Sequence, residues 1–249
     1  HIAEVLAANP DVGQVWVWND GTFGNTGTPA VPARSFSAAD LQALGWNSAF
    51  SGQRTYNGVA ILSRDPATDV VADIPGFDDE QRRVLAASLG SLRVIDVYVP
   101  NGQTVGSEKF AYKLRWFDAL REYVAAELAR HPHLVVLGDF NVAPEDRDVH
   151  DPKAWEGSVH VSPPERAALQ ALLGTGLADC FRLFEQPEKS YSWWDYRMMA
   201  FRRNAGLRID LILASTALAK NCGGWHIDKA PRQLERPSDH TPVVASFDI

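Results

Sequence analysis

The sequence predicts a single α/β domain with mixed sheets, and three observations carry that prediction. Short runs of β-forming residues alternate with stretches whose apolar residues recur every three or four positions. Two of the runs, Val84 to Leu89 and Leu92 to Val99, are separated only by Gly90 and Ser91, the signature of an antiparallel hairpin. The length of 249 residues fits one large domain, with no internal repeat or charge block to divide it, so residues 1–249 are read as one unit.

Taken in order, the chain opens in what reads as a helix. Residues 19–34, rich in Gly, Thr, Asn and Pro, read as an atypical exposed loop. Ser37-Ala38-Ala39-Asp40 resembles a capping box and starts a short helix that Gly45 closes. Gly58 to Leu62 is a strand, followed by the hairpin. Ser107 to Arg130 is the longest helical stretch, with Phe110, Leu114, Phe117, Leu120, Val124 and Leu128 on one stripe. Leu134 to Gly138 reads as a buried strand. Pro163 opens a helix running towards Gly174. Leu207 to Leu213 and Val243 to Phe247 are the last clear strands.

The totals exclude some classes. No apolar run approaches the roughly 20 residues that span a bilayer, so no membrane partner is expected. Two cysteines, Cys180 and Cys222, make neither a disulfide framework nor a four-ligand zinc site, and a cytoplasmic setting is expected. The net charge, 24 − 31 = −7, argues against a non-specific nucleic-acid coat. It leaves room for an enzyme that holds a cation on carboxylates.

Five segments carry candidate chemistry. In Leu137-Gly138-Asp139-Phe140-Asn141 an apolar strand delivers an acid and an amide two residues apart, so both side chains can face one site. A carboxylate there can take a proton from water or hold a hard cation, and an amide can donate to a phosphate oxygen; an Asx-type turn explains the same residues. Arg236-Pro237-Ser238-Asp239-His240-Thr241-Pro242 places Asp beside His between two prolines, fitting either a rigid loop or a charge-stabilising imidazole. In Leu207-Arg208-Ile209-Asp210-Leu211, Arg208 and Asp210 share one face, and Asp210 needs a partner, either Arg208 or a catalytic His. Tyr98 ends a strand before Pro100-Asn101-Gly102, where its phenol either packs or donates to phosphate. Tyr191-Ser192-Trp193-Trp194-Asp195-Tyr196-Arg197-Met198-Met199, with Arg202, Arg203 and Arg208, interleaves aromatics with arginine, as suits a nucleotide drawn out of its stack.

The order Tyr-Val-Pro-Asn-Gly, Gly-Asp-Phe-Asn, Tyr-Ser-Trp-Trp, Arg-Ile-Asp and Ser-Asp-His resembles the exonuclease III family of the endonuclease/exonuclease/phosphatase superfamily. The likeness runs from about Ser35 to Ile249 and includes the segment from Ser51 to Arg64 and that from Lys109 to Leu114. Trp-Trp-Asp-Tyr-Arg is similar to the DNA-repair branch rather than to lipid phosphatases or sphingomyelinases. The resemblance implies a four-layer α/β sandwich, two mixed sheets face to face between helices. It implies a metal-dependent DNA phosphodiesterase of base excision repair that cleaves 5′ to abasic sites, with 3′–5′ exonuclease and 3′-end trimming activity. By motif match, Asp139 would be the acid–base group, Asn141 would stabilise the transition state, and Tyr98 would donate to phosphate. His240, oriented by Asp210, would contact the scissile phosphate. Asp139, Asn141, Asp239 and His240 would surround one Mg²⁺ or Mn²⁺. Arg54, Tyr56, Asn57, Trp193, Met198, Arg202, Arg203 and Ile209 would meet DNA, and Leu207 would leave a thinner pocket wall. The expected partner is double-stranded DNA with abasic sites or blocked 3′ ends, met by a monomer.

The sequence departs from that family at its start. The family's first strand, bearing an Asn near the metal, is not found, nor is the Gln-Glu pair whose Glu is its principal metal ligand. After Val12 the chain reads Gly13-Gln14-Val15-Trp16-Val17-Trp18-Asn19-Asp20, and no Glu occurs between Glu4 and Glu80. Asp20 is the substitute on offer. This departure supports a second expectation, a catalytically impaired relative acting as a nucleic-acid-binding module. A third, a small-molecule phosphatase, is disfavoured by the Trp-Trp segment and its arginines.

Overall fold

A computed structural model describes residues 15–19, 38–53, 57–235 and 237–249. The opening helix, the loop at 20–34, Asp20, Arg54 and Tyr56 lie outside the described residues. In order the elements are β1 (Val15–Asn19), α1 (Ala38–Ala43), β2 (Asn47–Gly52), β3 (Gly58–Ser63), β4 (Thr68–Ala72), β5 (Val84–Leu89), β6 (Leu92–Tyr98), α2 (Glu108–Arg130), β7 (Leu134–Asp139), α3 (Pro152–Trp155), α4 (Pro163–Leu173), β8 (Leu177–Asp179), β9 (Asp210–Ser215), α5 (Thr216–Ala219), β10 (Cys222–Ile227) and β11 (Val243–Phe247).

A six-stranded mixed sheet, ordered β4-β5-β6-β7-β9-β8, forms the centre. Only β6 and β7 in it run parallel, and α2 is their crossover. Against one face lie the antiparallel sheet β1-β3-β2 and the hairpin-like pair β10-β11. The strand Val15–Asn19 is the alternating Val/Trp run, and it pairs antiparallel with β3. Helices α2 and α4 cover the other face, where Phe117, Leu120, Val124, Leu169 and Leu172 meet Val136, Leu211 and Leu213. Among the described residues α1 packs beside β2.

Alternation along the central strands sorts side chains between these two interfaces. Leu134 and Val136 face the helices, while Val135 and Leu137 face the opposing sheet. The same parity carries Asp96 and Tyr98 on β6, Asp139 on β7 and Asp210 on β9 towards the inter-sheet layer. Asp96 is fully buried there and accepts a hydrogen bond from Ala60 N at 3.1 Å, linking β6 to β3. Register then aligns three of these groups. Tyr98 is opposite Asp139, and Asp139 is opposite Asp210. The site lies at the end of the sheet where β6 and β7 finish and β9 begins.

Helix α2 is capped by the Ser107 side chain, which accepts from Phe110 N at 3.1 Å. Its buried stripe includes Trp116 and Tyr123, but also two charged residues, Lys113 and Glu127. Leu114, expected on the buried stripe, is only half-buried. Helix α4 has the reciprocal Ser162/Glu165 capping box and ends at Gly174. No helix among the described residues is long and apolar enough to cross a membrane.

Arg208 does not serve Asp210. Its guanidinium is fully buried and bonds Asp148 Oδ1 at 2.7 Å and Asp179 Oδ2 at 2.7 Å, while Phe181 covers it at 4.3 Å. That leaves Asp210 for His240, the other partner the sequence allowed.

Candidate active site

Gly138 has φ +133, and Asn141 follows at φ +50 after Asp139 and Phe140. That backbone folds the end of β7 back on itself, so Asn141 N donates to Asp139 Oδ1 at 2.8 Å, an Asx-type turn. The turn and the functional reading of Gly-Asp-Phe-Asn therefore describe one structure. Asn141 Nδ2 donates to Asp139 Oδ2 at 2.9 Å and to Val99 O at 2.9 Å, and Oδ1 faces Asn101 Nδ2 at 3.3 Å. Its amide hydrogens are thus engaged in orienting Asp139.

His240 reaches the same place from the loop before β11. Its backbone bridges Trp193, and Thr241 N donates to Ser192 O at 2.8 Å, while Trp194 N donates to Asp239 O at 2.9 Å. Nδ1 lies 3.0 Å from both Asp210 oxygens, and Nε2 lies 4.0 Å from Asp139 Oδ2. Ser192 Oγ accepts from the backbone N–H groups of Ile209 and Asp210, fixing the start of the strand that carries the carboxylate.

Electrostatics follow from burial and pairing. Desolvation of the nearly inaccessible Asp139 carboxyl raises its pKa to about 7, with the Asp210 charge adding to the effect and His240 opposing it. Burial works against the His240 imidazolium, but the charge and hydrogen bond of Asp210 outweigh it and push His240 up to about 10. At neutral pH the site thus holds an imidazolium pinned at Nδ1 and a carboxyl poised between its two forms. Asp139, Asp210 and His240 form one cluster able to hold a metal ion, their ligand atoms all within 4.8 Å of one another. The set expected from the sequence for the metal is Asp139, Asn141, Asp239 and His240; the cluster adds Asp210 to two of these. The Asp239 carboxylate accepts from Trp193 Nε1 at Oδ2, 3.0 Å, and its charge adds to those that raise His240.

The remaining expected residues divide. Tyr98 is half-buried at the rim, with the Arg83 guanidinium 4.8 Å over its ring and Arg83 Nη1 on its carbonyl at 3.0 Å. Trp193 is half-buried beside Trp155 and His160, at ring separations of 6.4 and 6.5 Å. Met198 is exposed, as are Arg202 and Arg203, on the loop after Trp194. Three residues lie inside the molecule instead. Ile209 packs in a cluster with Ala143, Val149, Val161 and Leu207, so neither Ile209 nor Leu207 lines an open pocket. Asn57 is buried and donates to Gln81 Oε1 at 3.1 Å.

Sequence reading missed Lys113, His160, Glu165, Ser192 and Arg83. Lys113 had a signal, a lysine at the apolar spacing of α2. His160 donates from Nδ1 to Asn141 O at 2.7 Å, and Asn101 Nδ2 approaches its Nε2 at 3.4 Å. Burial, with the Lys113 charge beside it, lowers the His160 pKa to about 4, so the ring is neutral and its tautomer fixed.

Residues 6–240 match the model of the endonuclease/exonuclease/phosphatase family. The chain belongs to that family. It is 36% identical over 217 residues to exodeoxyribonuclease III of Haemophilus influenzae, covering 82% of this chain and 81% of that protein. Among solved structures, the 3′ phosphatase NExo from Neisseria, bound to a product DNA hairpin, superposes with a TM-score of 0.92 at 44% identity. That match covers all of this chain and 93% of the other. An AP endonuclease from Archaeoglobus fulgidus gives 0.89 at 34% identity, again covering all of this chain and 93% of that one. Within the family the chain is therefore a hydrolytic nuclease of the exodeoxyribonuclease III and AP endonuclease group.

Proposed function

We propose that this chain is a divalent-metal-dependent phosphoesterase of DNA repair that clears blocked 3′ ends and cleaves 5′ to abasic sites. The Asp139–His240–Asp210 arrangement carries the reading. Water attacks phosphorus, its proton passes to an Asp139 oxygen, and the leaving oxygen departs with the bonding electron pair and takes a proton from solvent. His240, held by Asp210 at Nδ1, presents its Nε2–H to a phosphate oxygen and stabilises the charge that builds there. Asn141 keeps the Asp139 oxygens in place, and Tyr98 at the rim offers its phenol to the phosphate. Trp193, Met198, Arg202 and Arg203 form the side that meets DNA.

The residues present fit a hard cation. Desolvation, with Asp210 alongside, holds Asp139 well above its ordinary range, and a cation at these oxygens relieves that cost. Asp139 and Asp210 would supply its carboxylates, with Asp239 adding negative charge nearby. Mg²⁺ or Mn²⁺ would neutralise charge on the phosphate during the displacement.

Action at 3′ ends leads the proposal because the Neisseria proteins, a 3′ phosphatase and a 3′–5′ exonuclease at 44% and 45% identity, are more similar than the Archaeoglobus AP endonuclease. Two duplexes test it in the presence of Mg²⁺ or Mn²⁺, one nicked with a 3′-phosphate and one with an internal abasic analogue. Turnover of both is expected, with the 3′-phosphate released faster. Binding without turnover of either would reduce the protein to a DNA-binding module.

A further inference from the structure

Lys113 is buried on the inner stripe of α2, its side chain fully inaccessible. An ammonium has three hydrogens to place, and all three find acceptors. Nζ donates to Asn101 O at 3.1 Å, to Asn141 O at 2.8 Å and to Glu165 Oε1 at 2.5 Å. Glu165 is itself fully buried and also accepts from His160 N and Ser162 N, so it anchors the ammonium to the N-terminus of α4. Lys113 thus ties together three segments from different parts of the chain: the turn after β6, the turn after β7, and the start of α4.

We propose that Lys113 is a positioning residue of the reaction, holding the Asn141 backbone so that the Asn141 amide keeps Asp139 in its reactive orientation. The Asn141 carbonyl takes hydrogen bonds from Lys113 Nζ and His160 Nδ1 together, while its side chain contacts Asp139 Oδ2 and its N–H contacts Oδ1. Asn141 sits in the left-handed region at φ +50, which asparagine adopts more readily than most residues, and its carbonyl's two donors hold it there together with the bonds of its N–H and side chain. Removing the ammonium leaves that carbonyl on His160 Nδ1 alone, and the loosened turn is then able to rotate the amide off Asp139. The Asn101 carbonyl, next to the same turn, loses its donor at the same time. Neither Lys113 nor Glu165 touches substrate, so the effect falls on the chemical step rather than on DNA binding.

This inference rests on the proposed hydrolase reading, and wild-type turnover measured alongside separates the two. The variant is Lys113→Met with Glu165→Met, which removes the buried charges as a pair and leaves neither ion stranded. Expected is a kcat loss on the order of 10²-fold, as for a small misplacement of a reacting group, with KM for DNA within about twofold. Melting temperature is recorded for each protein. A folded double variant with wild-type kcat overturns the proposal, as does a loss confined to KM. Should that variant fail to fold, Lys113→Gln decides, because it takes the ammonium from the Asn101 and Asn141 carbonyls while leaving Glu165 its donors His160 N and Ser162 N. A selective fall in kcat there supports the assignment, and unchanged kcat overturns it. Absence of wild-type turnover would instead count against the proposed function itself.

Discussion

Both carboxylate oxygens of Asp210 lie 3.0 Å from His240 Nδ1, and this one contact decides the charge of the site. It holds the ring as an imidazolium through the neutral range and aims Nε2 at the space beside Asp139. With His240 at about 10, kcat/KM is expected to fall as His240 loses its proton, while the cation that activates the site draws the Asp139 ionisation below its metal-free value of about 7. Asp210→Asn removes the partner charge and moves the alkaline limb down towards the ordinary histidine range. A pH–rate profile of the two proteins checks this, and an unmoved alkaline limb would contradict it.

The same pair contributes to stability with a definite sign. The folded-state pKa of His240 lies above its ordinary value near 6.5, so the contribution is complete below that value and disappears as pH rises through about 10. The melting-temperature gap between wild type and His240→Gln is expected to be widest at pH 6 and to close towards pH 10.

Asp139 is also raised, so the metal-free protein is most favoured below about pH 4 with respect to this group and loses that contribution as pH rises through about 7. A divalent cation reverses the loss. At pH 8 and a hundredfold excess over Kd, stabilisation of about 2.7 kcal/mol is expected, roughly 5–10 °C in melting temperature for a chain this long. Asp139→Asn is expected to abolish most of that rise, which a thermal shift series with Mg²⁺ and Mn²⁺ measures.

Arg202 and Arg203 are exposed on the loop that also carries Met198. Replacing both with Ala is expected to weaken DNA binding and to reduce the slope of log K against log salt by about 0.9 for each phosphate no longer neutralised. An unchanged slope would remove this loop from the DNA interface. By contrast, Arg208→Met is a folding change: it takes the cation from the buried Asp179 carboxylate and leaves Asp148 to Arg182 alone, and is expected to cost about 3–5 kcal/mol in a urea titration.

What the sequence made legible, and what it hid, follows from how local each signal was. Leu134 to Gly138 declared a buried strand because five residues in a row are apolar or glycine, and Asp139 had to emerge at its end. The Asp210–His240 pair was one of two options, since nothing in sequence distance separates a partner two residues away from one thirty residues away. The fold settled it by taking Arg208 into the Asp148–Asp179 pair. Strand β4 was missed because most of Thr-Asp-Val-Val-Ala is exposed, and β10 because Gly223 and Gly224 break its β-forming run. The burial of Ile209 and Asn57 was not legible, because a motif match carries no burial. Lys113 was overlooked because a lysine on a helix ordinarily reaches solvent, and its three acceptors come from segments brought together only by folding.

The central claim is that Asp139 and His240 carry out phosphoester hydrolysis together, with DNA held elsewhere. It is tested most directly by single-turnover release of phosphate from a 3′-phosphorylated nicked duplex, comparing wild type with Asp139→Asn and His240→Ala at matched DNA occupancy. Wild type is expected to turn over with Mg²⁺ or Mn²⁺ and to stop with chelator, while each variant loses most of the rate and binds DNA nearly as tightly. Variants that keep the wild-type rate, or that lose binding and rate in equal measure, would contradict the account.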